Sequence, residues 1–236
     1  MDVLSEMDGI LGLIILIFFK GGSMFSLKPN SMSFDLLSYE VSEMVINSRA
    51  SVIKNVFEEV ESIHAETYEY AEKMDSLEDI EYDYNDQYAL KMHELDHFFF
   101  RINRSSTILS LYDFLENTLM SICAKKQQQM DLKISVSQLN GAGVCRCKAC
   151  LESYNIFDFS KPEIKQYWDL IQSFNKVRNS LAHTEGNIDN FAKLKKETIN
   201  GTKGLHVEGS GTLMISKEYV IKHIDNVRDF LLALCK

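Results

Sequence analysis

The sequence predicts an all-α chain, an antiparallel helical bundle carrying one small C-terminal β-hairpin. Three observations predict it. Only two prolines, Pro29 and Pro162, occur in 236 residues, so few positions forbid helix. Apolar residues recur three, four or seven apart over most of the length, which is the helical period. The one strand–turn–strand signal is GLHV, EGSG, TLMI, two short apolar runs around a glycine-rich turn. An apolar share of 45% is enough for a core, and the length suits one or two domains.

Residues 1–33 read as an apolar lead and linker, and residues 34–236 as a single helical domain. The run Ile10 to Phe19 is ten residues, short of the roughly 20 that span a bilayer. It also lacks a basic leader and a small-residue cleavage site. It fits an interfacial anchor, a helix docked on a partner, or a natural start at Met24 or Met32. No membrane span is expected. Gly21, Gly22 and Pro29 make the linker.

One long amphipathic helix is expected from Phe34 to Met74, with at most one break. Its apolar stripe reads Leu37, Val41, Val45, Val52, Val56, Val60, Ile63, Tyr70 and Met74. An acidic connector, Asp75 to Asp86, leads to a second helix over 85–102. A third follows over 105–126, on Ile108, Leu111, Tyr112, Leu115, Leu119 and Ile122. QQQMDLK breaks it, and residues 132–155 hold two short helical pieces around Gly141 and Gly143. The next helix opens at FSKPE, with Ser160 as N-cap, Pro162 in the first turn and Glu163 completing a capping box. Ile164, Tyr167, Trp168, Ile171, Phe174 and Val177 continue it, and Gly186 ends it as a C-cap glycine. A polar loop with KLKKE, the hairpin, and a last helix over 217–234 complete the chain.

The net charge of −9 belongs to one segment. Between Glu58 and Asp86 there are 12 acidic residues and one lysine. The remainder is close to neutral, so the sum neither excludes a local RNA site nor favours one. The acidic segment reads as a solvated helix face and loop, or as a surface for a basic partner.

Two motifs suggest metal and are weak. HELDH, His93 to His97, matches H-E-x-x-H, but Asp96 intrudes and no third ligand motif follows. Cys145, Cys147 and Cys150 lack the second knuckle of a zinc site, and thiols in a helix also serve as small apolar residues. No metal and no cofactor are expected. With no secretory signal evident, a reducing, cytoplasmic setting is expected and disulfides are not.

The candidate site is KVRNSLAH. Five helical steps separate Arg178 from His183 by roughly 140°, so the two flank a groove rather than stack. A single copy is a poor site. Two copies across a two-fold axis bring two Arg and two His around one cleft. A guanidinium holds a phosphodiester bidentately and stabilises developing charge. An imidazole moves protons near neutral pH. RNA supplies its own 2′-OH nucleophile. The alternative is that both cations merely complement the negative end of the helix dipole.

RNSLAH resembles the signature of the higher eukaryotes and prokaryotes nucleotide-binding (HEPN) family: Arg, a polar residue, three to five more residues, then His near a helix end. RSSTILSLYDFLENTLMSIC, LNGAGVCRCKACLESYNIFDF, YWDLIQSFNKVRNSLAHTEGNI and TLMISKEYVIKHIDNVRDFLLAL resemble, in order and spacing, a bacterial branch linked to defence and abortive infection. The resemblance covers roughly Phe34 to Leu234. It implies an all-α bundle, a homodimer, and metal-independent endoribonuclease activity as a toxin or antiviral effector. Some relatives are instead non-catalytic dimerisation or nucleotide-binding modules. It also implies a catalytic pair, Arg178 and His183, with Asn179 orienting or polarising the site. It places VCRCKAC in an ordinary helix. Glu116 lies on an apolar stripe beside Tyr112, Leu119 and Met120, where an unpaired carboxylate is costly. It is therefore expected to pair with Arg178 or to face the cleft, the alternative being a bridge to another cation. The expected partners are RNA, a second copy, and an antitoxin or other protein on segment 58–86.

Overall fold

The structure is a computed structural model that describes residues 42–75, 90–131, 136–139, 141–190 and 194–235. All of these belong to one compact unit, Val41–Lys236. The apolar run Ile10 to Phe19, the linker, Leu37, Val41 and most of the acidic connector lie outside the described residues.

The elements are α1 (Glu43–Asp75), α2 (Phe100–Gln129), α3 (Gly143–Ser153), α4 (Pro162–Thr184), α5 (Lys196–Asn200), β1 (Leu205–Val207), β2 (Leu213–Ile215) and α6 (Lys217–Cys235). α2 is the hub, packing on α1, α3, α4 and α6, while α6 also packs on α1 and α4. Paired contacts give the directions. Arg49 lies over Phe114 and Glu61 meets Arg104, so α1 and α2 run antiparallel. Phe174 stacks on His223 and Trp168 packs near Phe230, so α4 and α6 do too. The hairpin pairs Leu205 with Ile215 and Val207 with Leu213. No helix among the described residues is long and apolar enough to cross a membrane.

The long first helix is continuous over its described length, but the face it buries is turned by roughly 115° from the expected one. Ile46, Ala50, Phe57, Glu61, His64 and Ala71 point inward. Met44, Val52, Val56 and Ile63 are exposed. The inner face contains a carboxylate and an imidazole, which a search for apolar spacing rejects. Glu61 is 2% exposed. It is tolerated because Arg104 grips it bidentately, with Nη2 2.8 Å and Nε 3.1 Å from its oxygens. Asn103 Nδ2 donates to the same carboxylate at 3.1 Å. His64 sits between the rings of Phe99 and Phe100.

The expected second and third helices are one. Residues 90–94 are helical and run through a π turn, Leu95–Phe99, directly into α2. Nothing between Ile102 and Ser105 breaks the chain, and Thr107 returns its hydroxyl to the Asn103 carbonyl rather than capping a new helix. At the start of α4 the N-cap is Lys161, with no side-chain cap bond. Ser160 instead bonds Asp158 through both its amide and its hydroxyl, closing a local turn. Lys196 and Glu197, the last two residues of KLKKE, open the short helix α5 rather than staying in a loop.

Candidate functional site

α4 buries Ile164, Trp168, Ile171, Phe174, Val177 and Leu181. Arg178 lies between buried Val177 and buried Ser180 and Leu181 and is itself partly exposed, so it sits at the boundary between core and solvent. The helix ends in a fixed way. Glu185 adopts the left-handed conformation and Gly186 follows at φ +78°. The Ser180 carbonyl accepts the Glu185 amide, the Gly186 amide at 3.2 Å and the Thr184 hydroxyl at 2.8 Å. The hairpin then clamps this end: Leu213 N–H donates to Gly186 O, and Ile188 N–H to Gly211 O, each at 2.8 Å. Arg101 Nη2 of α2 donates to the Glu185 carbonyl at 3.1 Å. The turn bearing His183 is therefore held from three sides.

Arg178 is held on each side of its guanidinium. Its central carbon is 4.6 Å from the centroid of the Tyr112 ring. Nη1 donates to Asn179 Oδ1 at 3.1 Å, and Asn179 Nδ2 donates to Asn175 Oδ1 at 3.1 Å. This chain sets the direction of the Asn179 amide, oxygen toward the cation. Nη2 is 3.9 Å from Asp113 Oδ1. Both Arg178 and Asn179 remain partly solvent-exposed, and His183 is exposed. No hydrogen bond or ion pair joins His183 to Arg178, and their separation along the helix is roughly 7.5 Å at 1.5 Å per residue. The two side chains flank one face of a single chain without meeting.

Glu116 is not the partner of Arg178. That place belongs to Asp113, one helical turn earlier on α2. Glu116 lies instead where α3 begins: a Cβ built on Gly143 would stand 3.4 Å from Glu116 Oε1 and 3.5 Å from Tyr112 Oη. A carboxylate there complements the positive end of α3. The Val144 amide donates to the Tyr112 hydroxyl. Burial, then the Glu116 carboxylate, pushes the Tyr112 phenol up to about 12, with the Arg178 cation opposing. Tyr112, Asp113 and Asn175 were not singled out as site residues from sequence. In the sequence Tyr112 is one more apolar position, and its partner Arg178 lies 66 residues away. The adjacency of Asp113 to a buried tyrosine was the available signal.

The metal motifs assemble nothing further. His93, just before the π turn, and His97 within it have ring centroids 4.2 Å apart, tilted at 45°, and His97 Nδ1 is 3.5 Å from Glu208 Oε1. Among the described residues no group of three or more histidine, cysteine or acidic side chains converges as a metal site. In α3, Cys147 and Cys150 are buried beside Cys123, and Cys145 is exposed. Cys123 Sγ donates to the Cys147 carbonyl at 3.6 Å. A hydrogen bond with the Cys147 thiol, then burial, pushes the Cys123 thiol up, and burial pushes Cys150 up. These two are protonated packing groups rather than nucleophiles.

Searches for related family models, curated proteins and solved structures return no match to this chain, so the geometry of Arg178, Asn179 and His183 carries the functional reading.

Proposed function

We propose that the chain is a metal-independent endoribonuclease of the HEPN kind, a toxin or antiviral (abortive-infection) effector whose composite site forms at a homodimer interface. One observation carries it. A guanidinium held by a ring, an amide and a carboxylate shares the last turns of α4 with a solvent-facing imidazole.

In this reading His183 of one copy takes the proton from the ribose 2′-OH. The 2′-oxygen attacks phosphorus and the bond to the 5′-oxygen breaks. The leaving oxygen takes a proton from the second copy's imidazolium, and a 2′,3′-cyclic phosphate remains. Arg178 stabilises the charge gathering on the non-bridging oxygens. Asn179 holds Arg178 to that task. No hydrogen bond joins the two side chains within one chain, and a second copy is part of the proposal. A cytoplasmic location goes with it.

Purified protein incubated with total RNA, with and without EDTA, tests the reading. Cleavage is expected in both, absent in His183→Ala, with dimer mass and melting temperature unchanged. Equal cleavage by that variant, or strict dependence on added divalent metal, overturns it.

The outer face of α1 favours a second, non-catalytic reading as a dimerisation or nucleotide-binding module. Met44, Val52, Val56 and Ile63 are exposed there, beside exposed Glu59 and Glu66. That surface suits an antitoxin or other partner with an apolar, basic face. Its described part covers the first portion of segment 58–86.

A further inference from the structure

Arg178 Nε is buried and has no hydrogen-bond partner. An arginine that forfeits a buried donor loses free energy, and contacts elsewhere on the guanidinium must offset that loss. The group under it is Tyr112, 3% exposed, with its ring centroid 4.6 Å from the guanidinium carbon. Tyr112 is itself braced twice. Its ring packs against Phe174 of α4 at 5.9 Å between centroids. Its hydroxyl accepts the Val144 amide at the start of α3. Three helices thus hold one ring in place, and that ring carries one cation.

We propose that Tyr112 is a positioning residue for Arg178, a buried aromatic platform that sets the plane of the guanidinium so that its free donors face the scissile phosphate. The proposal rests on the ribonuclease reading for its consequence, not for its geometry. Tyr112 is too buried to touch substrate, so its effect passes through Arg178. Asn179 and Asp113 tie the edge of the guanidinium, while the ring fixes its face. A cation over a ring is favourable, and more so as it is desolvated. The phenol stays protonated across any assay range, since its pKa is pushed up to about 12, and the platform does not change with pH.

The first test needs no variant of Tyr112 and no activity. In wild-type protein labelled with 15N-arginine, the Nε–Hε signal of Arg178 is assigned by its loss in Arg178→Lys. It is expected upfield of the other arginines, from the ring current, and protected from exchange by burial. A random-coil position with fast exchange overturns the platform.

The second test measures function. Tyr112→Phe keeps the ring and is expected within about twofold of wild-type kcat, whereas Tyr112→Leu should lose roughly 100-fold, the scale of a misplaced reacting group. Affinity for an uncleavable all-2′-deoxy oligonucleotide should fall about tenfold in Arg178→Ala, the value of one charged contact. It should fall similarly in Tyr112→Leu and no further in the double variant. Full activity in a folded Tyr112→Leu, or additive losses, overturns the proposal. If Tyr112→Leu does not fold, the wild-type Arg178 signal decides it. Wild-type protein without any RNA cleavage overturns the ribonuclease reading, and the same signal still decides the platform.

Discussion

Arg104 Nη2 lies 2.8 Å from Glu61 Oε2, and this one pair fastens α1 to α2 at a point where the carboxylate is 2% exposed. Arg104 also donates through Nη1 to the Ile215 carbonyl at 3.1 Å, bringing β2 into the same joint. The guanidinium carbon lies 4.8 Å from the Phe100 ring centroid. A charge buried this deeply is tolerable only while its partner stays.

Arg104→Ala should therefore destabilise the fold by about 3–5 kcal/mol, the scale for leaving a buried carboxylate unpaired. Urea unfolding of the two proteins measures it. A loss below about 1 kcal/mol would show that Glu61 finds water in the native state. Arg104→Met with Glu61→Leu should recover much of the loss, because two apolar groups leave no charge unpaired.

Gly186 is the second stability prediction. At φ +78° it adopts a backbone that costs a side chain about 1–2 kcal/mol. A Cβ there would also stand 3.3 Å from Leu181 Cδ2. Gly186→Ala should lower stability by about that amount and loosen the clamp on the turn carrying His183. Its denaturation midpoint should fall, and its cleavage rate should fall more than stability alone accounts for. An unchanged midpoint would mean that the turn relaxes to another conformation at no cost.

His223 gives a pH dependence. Burial lowers its pKa to about 4, against a hydrogen bond to the Tyr219 carbonyl that opposes the shift. Its Nδ1 is 2.9 Å from that carbonyl, and its ring stacks on Tyr219 and Phe174. Below pH 6.5 the unfolded chain binds a proton that the folded chain refuses until about pH 4. Stability must therefore fall as pH drops through that window, by up to about 3 kcal/mol from this residue. His64, lowered by burial as well, acts in the same direction. The free energy of unfolding measured from pH 7 to pH 4 should show a shallower fall in His223→Phe than in wild type. Parallel slopes would assign the acid sensitivity to other groups.

The helical class and the hairpin were legible because each rests on local signals, period and glycine turns, whereas the helix expected to end before QQQMDLK runs on through Gln129. The buried face of α1 was not legible. Its inward positions include Glu61 and His64, made acceptable by Arg104, Phe99 and Phe100, none of them local to α1. The same gap separates the two halves of the site. RNSLAH shows Arg178, Asn179 and His183 directly. What holds Arg178 is Tyr112 and Asp113, and their relation to it exists only after α2 and α4 have packed antiparallel. Glu116 is expected on Arg178, on the cleft or on another cation because its position on an apolar stripe demands a partner. Its carboxylate lies beside Gly143, at the beginning of α3, a segment the stripe does not reveal.

Asn179 allows the cation's support to be separated from its charge. Its oxygen accepts from Arg178 Nη1, and its amide nitrogen donates to Asn175 Oδ1. Asn179→Ala removes both and should slow cleavage by roughly 10–100-fold, within the range for loss of one aligned polar contact in a site. Asn175→Ala removes only the outer brace and should cost less. Asn179→Asp keeps an acceptor for Arg178 but sets a negative charge beside the phosphate, so its KM should rise and the rise should shrink with added salt. Cleavage kinetics of the three variants at two ionic strengths distinguish these effects. If Asn179→Asp matched Asn179→Ala in KM at low salt, no anion would be approaching this face, and Arg178 would be a structural cation at the end of α4.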